Sequence, residues 1–289
     1  ERDALPSRCV APENGRRPTL MAVRSHLLRE IFAGTDPLDA ANASFIDNGY
    51  PHTHMRPQLV RAVLLAHELQ HRANVTFWLE CGSMLGGSLI RTAQVARRLD
   101  RYDGLSLVAI DPFTGDVNMW AGEARAIANN ARFRFLGLRN GQPTIYERFL
   151  ANTARAGLRG TLLPIRATAT VGLRLLAQLH SKGRLPQRPQ VIYLDSAHEQ
   201  GETLHELGLA WRLLPSSGGV LVGDDWGWPG VHADLLSFAA CLGSAGPQAL
   251  SAPSAPSAPP VSSAPSAPSA PSTLTAPSTC PAPRHLGTS

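Results

Sequence analysis

The sequence predicts a doubly wound α/β fold, in which a mostly parallel sheet carries helices on both faces. Five short apolar runs are separated by segments with helical periodicity; they lie at about 75–80, 105–110, 161–165, 190–194 and 219–223. The runs are continuous rather than alternating, which is typical of parallel strands that are buried on both faces. Acidic residues end four of the five runs, at the edge of the sheet where such folds bind their ligands.

The helical segments fall before and between these runs. The spacing of apolar residues predicts helices over 20–33, 57–72, 88–99, 144–156, 170–181, 201–214 and 230–242. Pro57 lies near the first turn of the second helix, where proline is tolerated. The third strand is the weakest of the five, because Pro164 interrupts it.

The chain divides into three regions by composition. Residues 1–56 are irregular with one helix, residues 57–245 hold the alternating strands and helices, and residues 246–289 form a tail of repeated Ser-Ala-Pro. The tail has no hydrophobic face, so it cannot bury enough surface to offset the entropy of ordering. We expect the tail to be a disordered, low-complexity segment.

Composition excludes several classes of protein. The formal charge is +5, but the arginines are scattered and no basic block contains interleaved aromatic residues, so nucleic-acid binding is not expected. No apolar stretch is long enough to cross a membrane and no signal peptide is visible. The sequence leaves the compartment open, with the cytoplasm slightly favoured. The four cysteines form no CxxC pair, so a zinc module is not expected, and reduced thiols are the simplest state.

A glycine-rich loop follows the first strand, with the sequence ECGSMLGGS over residues 80–88. Glycines allow the backbone to approach a ligand closely, and the next helix begins with free N–H donors. The loop is not the GxGxxG of dinucleotide enzymes, because the spacing after the first glycine differs. The residues expected to contact a ligand are Glu80, Gly82, Ser83, Gly86 and Ser88.

Asp111 ends the second strand. An acidic residue at this point accepts hydrogen bonds from ribose hydroxyls in several nucleotide-binding folds. Asp111 therefore indicates a ligand that contains adenosine, without saying which one.

Three aspartates follow the fourth and fifth strands. Asp195 and the pair Asp224 and Asp225 should converge, because these strands are neighbours in the predicted sheet. Clustered carboxylates repel one another unless a cation or a proton lies among them, and oxygen ligands suit Mg²⁺. The alternative is that one or two of them cap the following helices.

Taken together, these segments resemble class I S-adenosylmethionine-dependent methyltransferases. The similar segments are ECGSMLGGS, AIDPFTGD and the region from YLDSAHEQ to GGVLVGDDW, within about residues 55–242. They are most similar to the branch that contains macrocin O-methyltransferase-like and cephalosporin hydroxylase-like proteins.

The resemblance implies a role for each motif. Glu80, Gly82 and Ser83 would hold the methionine part of S-adenosylmethionine, and Asp111 would hold its ribose. In metal-dependent relatives the acids after the fourth and fifth strands hold the cation, so Asp195, Asp224 and Asp225 would inherit that role. His198 falls where relatives often have a histidine, and it is either a general base or a residue that packs or caps.

The C-terminal part of the chain departs from the family pattern. Class I methyltransferases end their sheet with an antiparallel hairpin, whereas here the last predicted helix leads directly into the Ser-Ala-Pro repeats. We therefore expect a methyltransferase fold without this hairpin. The fifth strand would then be an exposed edge, and a homodimer could cover it.

The resulting functional hypothesis is O-methyl transfer from S-adenosylmethionine to a small-molecule acceptor, assisted by His198, Asp195 or a bound Mg²⁺. One alternative is a catalytically degenerate protein that keeps the fold and acts as a binding module. Another is a nicotinamide-dependent oxidoreductase on a similar sheet. A hydroxylase-like activity of the same branch is a weaker alternative.

Overall fold

The structure, a computed structural model, describes residues 22–46, 55–120 and 131–242. The helices are α1 (Ala22–Phe32), α2 (Pro57–His71), α3 (Gly87–Arg98), α4 (Val117–Trp120), α5 (Ala131–Leu136), α6 (Ile145–Arg155), α7 (Ala169–Ser181), α8 (Glu202–Leu213) and α9 (Pro229–Cys241). The strands are β1 (Phe77–Cys81), β2 (Ser106–Asp111), β3 (Leu162–Arg166), β4 (Val191–Leu194) and β5 (Val220–Gly223). Two short 3-10 turns, Pro37–Ala40 and Ala43–Phe45, lie between α1 and α2.

The five strands form one parallel sheet in the order β3-β2-β1-β4-β5. The order runs outward from β1 in both directions, so the chain changes direction between β1 and β4. This is the topological switch point, where doubly wound sheets form a crevice at the carboxyl ends of their strands. The predicted doubly wound α/β fold is confirmed.

Two apolar layers cover the sheet. Trp78, Leu107 and Tyr193 face the layer that contains α2, α3 and α6. Phe77, Leu79 and Val108 face the layer that contains α1, α7, α8 and α9. Successive residues of each strand thus enter opposite layers, which explains why the strands are continuous apolar runs in the sequence.

Pro164 lies within β3, the outermost strand on its side of the described sheet. The N–H of Ala167 donates to the carbonyl of Asp111 in β2, so the nitrogens of alternate residues face β2. The nitrogen of Pro164 therefore faces away from β2, and the missing N–H costs no hydrogen bond with it.

The two 3-10 turns and the short helices α4 and α5 have no periodicity that a sequence could reveal. The first 3-10 turn is held by Asp36, whose side chain accepts a hydrogen bond from the N–H of Leu38 at 3.0 Å. The second is held in the same way by Asn42, which accepts from the N–H of Ser44 at 2.9 Å. These turns, together with α4 and α5, are additions to the predicted elements.

The first helix packs into the core of the sheet. Val23 and Leu27 of α1 are buried against strand residues such as Phe77. The predicted domain boundaries at 56 and 245 stay predictions. The Ser-Ala-Pro tail and any residues that would form a terminal hairpin lie outside the described residues.

Two further expectations can be compared with the described residues. No helix among them has the length and hydrophobicity needed to cross a bilayer. Cys81 is a buried free thiol, whereas Cys241 is disulfide-bonded. The expectation of reduced thiols is therefore wrong for Cys241; the other cysteines, Cys9 and Cys280, lie outside the described residues.

Candidate functional site

A cavity of about 330 Å³ opens at the carboxyl ends of β1, β2, β4 and β5. It lies where the order of the strands reverses, as the sequence analysis predicts for a ligand site. Four of its described lining residues are carboxylates and none is lysine or arginine; the carboxylates are Asp111, Asp116, Asp195 and Asp225. A positively charged ligand would meet no lysine or arginine among these residues, and its charge would help the acidic side chains to ionise.

Gly82 joins the two central strands at the base of this cavity. Its φ is +84°, and an added Cβ would lie 1.8 Å from the carbonyl oxygen of Asp195. No other residue fits, since both the backbone conformation and the space require glycine. The glycine thereby brings the glycine-rich loop against the loop that follows β4.

The start of α3 forms the next part of the wall. Gly86 is the N-cap of this helix with φ +86°, and a Cβ there would lie 2.6 Å from Cγ2 of Thr153. Ser88, in the first turn, donates a hydrogen bond to Oε1 of Glu80 at 2.5 Å. Ser88 lines the cavity, whereas Gly86 lies behind it.

Glu80 is fully buried below the glycine-rich loop. Among the described residues, no hydrogen bond of normal geometry reaches its Oε2 atom or the buried hydroxyl of Ser83, although this hydroxyl is close enough to lower the pKa of Glu80. Burial raises the pKa of Glu80 to about 8, although the hydrogen bond from Ser88 opposes the shift. A buried carboxyl oxygen without a partner indicates that a polar group of a ligand belongs beside it, and a cationic group there would help the carboxyl to ionise.

Asp111 lines the cavity and also holds two loops together. Its Oδ2 accepts from the N–H of Met84 at 2.7 Å, and its Oδ1 accepts from the N–H of Phe113 at 2.5 Å. Burial raises the pKa of Asp111, while these backbone hydrogen bonds lower it. The N–H of Ser83 also acts on this carboxylate. Three donors leave at least one of its four lone pairs free, so Asp111 can still accept a hydrogen bond from a ligand.

On the opposite side of the cavity, Asp195, His198 and Asp225 form a cluster. One potential ligand atom from each lies within 4.8 Å of the others. Nε2 of His198 is 2.7 Å from Oδ2 of Asp225. Burial, followed by the charges of Asp224, Asp225 and Glu80, raises the pKa of Asp195 to about 9.

Asp224 points away from this cluster. Its Oδ2 accepts from the hydroxyl of Tyr193 at 2.7 Å, and its Oδ1 accepts from the N–H of Asp225 at 2.8 Å. Burial and nearby carboxylates raise the pKa of Tyr193, so this hydroxyl retains the proton that it donates. The structure thus brings His198, rather than Asp224, together with Asp195 and Asp225.

Asp116 is a wall residue that the sequence analysis did not select, although it lies in the AIDPFTGD segment. Its Oδ1 accepts from the N–H of Met119 at 3.0 Å, which caps α4. Its Oδ2 lies 3.5 Å from Nδ1 of His198. The ring of His198 also packs on Trp228, with 4.9 Å between the ring centroids.

In enzymes of the class that the sequence resembles, the N-terminal helices and the loop after the second strand usually form the acceptor site; here these are about 35–60 and 112–145. The two segments contribute unevenly to the cavity. From the segment 112–145 come the apolar lining residues Pro112, Met119, Phe135 and Ile145. Met55 is buried in the core instead, where it packs with α2 and α3. Tyr50, His52 and His54 lie outside the described residues.

A family comparison agrees with this geometry. Residues 79–226, just over half of the 289-residue chain, match the model of a methyltransferase domain. The matched segment begins in β1 and includes the glycine-rich loop, Asp111 and the three aspartates. Among curated proteins, none matches the chain.

Solved structures with a similar fold include two O-methyltransferases. One is the O-methyltransferase from Bacillus cereus in complex with SAH, at 16% identity and a TM-score of 0.36, with 71% of this chain and 73% of that chain covered. Another is TomG from Streptomyces achromogenes, involved in tomaymycin synthesis and in complex with SAM, at 18% identity and a TM-score of 0.38, with 74% and 85% covered. The family assignment depends on the domain match and not on these two structures.

Proposed function

Because the chain belongs to the methyltransferase domain family, we propose that it transfers a methyl group from S-adenosylmethionine to an oxygen of a small-molecule acceptor. One observation carries the proposal: a single cavity has the glycine-rich loop on one side and the cluster of Asp195, His198 and Asp225 on the other. A cofactor on the first side would present its methyl group to an acceptor on the second.

The buried polar atoms fit the cofactor. The unpartnered Oε2 of Glu80 and the hydroxyl of Ser83 would bind the charged amino-acid end of S-adenosylmethionine. Asp111 would accept from the ribose hydroxyls through its free lone pairs. When bound, S-adenosylmethionine supplies an electrophilic methyl group on a positively charged sulfur, and the carboxylates of the cavity favour that charge.

The chain's own contribution is to position the acceptor and to remove its proton. The apolar side chains of Met119, Phe135 and Trp228 line the cavity, exclude water and bind the body of the acceptor. The acceptor hydroxyl would lie beside the cluster and lose its proton there, and its oxygen would form a bond to the methyl carbon as the bond from that carbon to sulfur breaks and S-adenosylhomocysteine is left. Alignment of the two reacting atoms is the main source of rate, because the methyl donor is already activated.

The cluster offers two ways to take up the proton, and both follow from the sequence analysis. His198 is a candidate base, and Asp225 fixes the orientation of its ring at 2.7 Å. Alternatively, a divalent cation among the carboxylates would increase the acidity of the acceptor hydroxyl. In either case the reaction takes place beside Asp195.

The first experiment is isothermal titration calorimetry of the full chain with S-adenosylmethionine and S-adenosylhomocysteine. We expect a dissociation constant on the order of micromolar. Glu80→Gln should weaken binding of both compounds, whereas Glu147→Gln, at an exposed position of α6, should not. Absence of binding by well-folded protein would reject the proposal and favour a non-catalytic binding module.

A further inference from the structure

We propose that Asp195, His198 and Asp225 form a divalent-metal site in which the imidazole of His198 takes the place expected for Asp224. The site has one nitrogen and two carboxylate ligands, and it prefers a first-row transition ion to Mg²⁺. The inference rests on the proposed function only for the reaction that the ion would serve, since metal binding itself requires no turnover.

The distances are those of ligands around one ion. The three candidate ligand atoms lie within 4.8 Å of one another. Two ligands on opposite sides of an ion, each about 2.1 Å away, are separated by about 4.2 Å. Side-chain adjustments of a few tenths of an ångström would therefore place all three atoms around an ion.

Asp116 is the second observation that points to a metal. Its Oδ2 faces Nδ1 of His198 at 3.5 Å, while Nε2 lies on the side of Asp225 and the cavity. A histidine that binds a metal through one ring nitrogen usually donates the N–H of the other to a carboxylate, which fixes the tautomer and the orientation of the ring. Asp116 is placed to accept this hydrogen bond.

Without a cation or a second proton on its ring, His198 cannot donate to both of the carboxylates that face it. If a neutral His198 donates its Nε2 proton to Asp225, the lone pair of Nδ1 faces the carboxylate of Asp116, and the two repel. If the proton is on Nδ1, the lone pair of Nε2 faces the carboxylate of Asp225. With an ion bound to Nε2, Asp195 and Asp225, each of these atoms has a partner of suitable charge.

Asp224 is the ligand that the family resemblance implied, but its carboxylate is occupied. One oxygen accepts from the hydroxyl of Tyr193 and the other from the N–H of Asp225. Turning it toward the cavity would leave the buried hydroxyl of Tyr193 without its acceptor, which costs about 1–3 kcal/mol. His198 needs no such rearrangement.

The ligand types determine the preferred ion. Imidazole is a good ligand for first-row transition ions and a poor one for Mg²⁺, which prefers oxygen ligands and water. The role of the histidine also changes, because a ring that is bound through Nε2 and protonated on Nδ1 has no lone pair with which to act as a base. In this state the ion, rather than His198, would promote loss of the acceptor's proton.

The test measures metal binding by the full chain without a methyl acceptor. Titration calorimetry with MnCl₂ and MgCl₂ should give one Mn²⁺ site at least tenfold tighter than Mg²⁺. Electron spin echo envelope modulation of the Mn²⁺ form should detect one directly bound imidazole nitrogen. His198→Gln should remove this nitrogen signal and weaken Mn²⁺ binding by tenfold or more.

Asp224→Asn is the matched control, because its amide oxygen can still accept from the N–H of Asp225 while its NH2 group donates to the hydroxyl oxygen of Tyr193. We expect it to change Mn²⁺ affinity less than threefold, whereas Asp225→Asn should weaken binding at least tenfold. Asp116→Asn should reduce affinity about tenfold and leave the nitrogen signal in place. A wild-type Mn²⁺ form without a nitrogen signal would overturn the inference.

Two other outcomes would also overturn it. Loss of affinity in Asp224→Asn but not in His198→Gln would support the three-aspartate site instead. Absence of Mn²⁺ binding by protein that still binds S-adenosylhomocysteine would reject the metal, leave the proposed function intact and return His198 to the role of base. Conversely, Mn²⁺ binding without cofactor binding would count against the proposed function alone.

Discussion

The two sides of the cavity are built in different ways. On the side of the glycine-rich loop, the important contacts involve the main chain: Gly82 lies against the backbone of Asp195, and Asp111 accepts from two backbone N–H groups. On the opposite side, the contacts of His198 and Asp225 join one side chain to another. The fold itself specifies the main-chain contacts of the first side, whereas the side-chain contacts of the second depend on which ligand or proton is present.

The largest expected effect is that of Gly82→Ala, which tests the side of the glycine-rich loop. The new methyl group would overlap the carbonyl of Asp195, and alanine is strained at φ +84°. We expect the free energy of unfolding to fall by about 4 kcal/mol, measured by urea denaturation. Gly227→Ala is the control, because no atom lies within 4 Å of its added methyl group. Equal stability of the two variants would show that the main-chain contact is not needed.

Asp111→Ala should have the next largest effect. It removes the acceptor of the N–H groups of Met84 and Phe113, so we expect destabilisation of about 2–4 kcal/mol together with loss of cofactor binding. Removal of Asp111 therefore lowers the stability of the protein as well as its affinity for the cofactor. Thermal denaturation of this variant and of Asp103→Ala, at an exposed position before β2, checks the prediction. A variant that loses binding at full stability would contradict it.

Glu80→Gln should change the pH dependence of stability. The unfolded chain releases the proton of this side chain near pH 4.5, whereas the folded protein keeps it until about pH 8. The folded state thus binds more protons in this interval, and stability falls as the pH rises through it. Without that loss, the glutamine variant should be more stable than the wild type by about 1–3 kcal/mol at pH 8 and little different at pH 4.

Urea denaturation at several pH values would measure this difference. Glu147→Gln, on the surface of α6, should leave the pH profile as it is in the wild type. Parallel profiles for Glu80→Gln and the wild type would mean that the folded protein does not retain the proton. The combination of higher stability and weaker cofactor binding would identify Glu80 as a residue that costs stability and serves binding.

The smallest effect is expected for Tyr193→Phe, which tests the side of the cavity that depends on contacts between side chains. Loss of one hydrogen bond to Asp224 should cost about 1 kcal/mol. A double-mutant cycle with Asp224→Ala, which removes the acceptor, should give a coupling energy of similar size. A coupling near zero would mean that Asp224 is free to turn toward the cavity, and the contrast between Asp224 and His198 would then be lost.

The sequence predicted the main-chain side well. The strands, the glycine-rich loop and Asp111 could be located because periodicity and glycine placement are local properties of the chain. The sequence could not predict that Asp225, rather than the adjacent Asp224, lines the cavity. That choice depends on the left-handed conformation of Asp225, with φ +57°, and on the hydroxyl of Tyr193 in a different strand.

The role of Asp116 was hidden for a similar reason. Its two contacts, with α4 and with His198, join residues far apart in the chain, and α4 is too short to leave a periodic pattern. The apolar residue Met55, expected near the acceptor, fills the core instead. For Asp116 and for Met55, the role of the side chain is determined by its neighbours in space, which are far from it in the sequence.

Pro164 has a consequence for self-association. A sheet edge that displays free N–H groups can pair with the edge of another molecule, and an edge that contains proline pairs poorly. Because Pro164 disfavours pairing at β3, two copies would pair through β5, the other edge of the described sheet. The β5 strand of one copy would then lie beside the β5 strand of the other, around a twofold axis. Such growth stops at two copies and does not continue into a fibre.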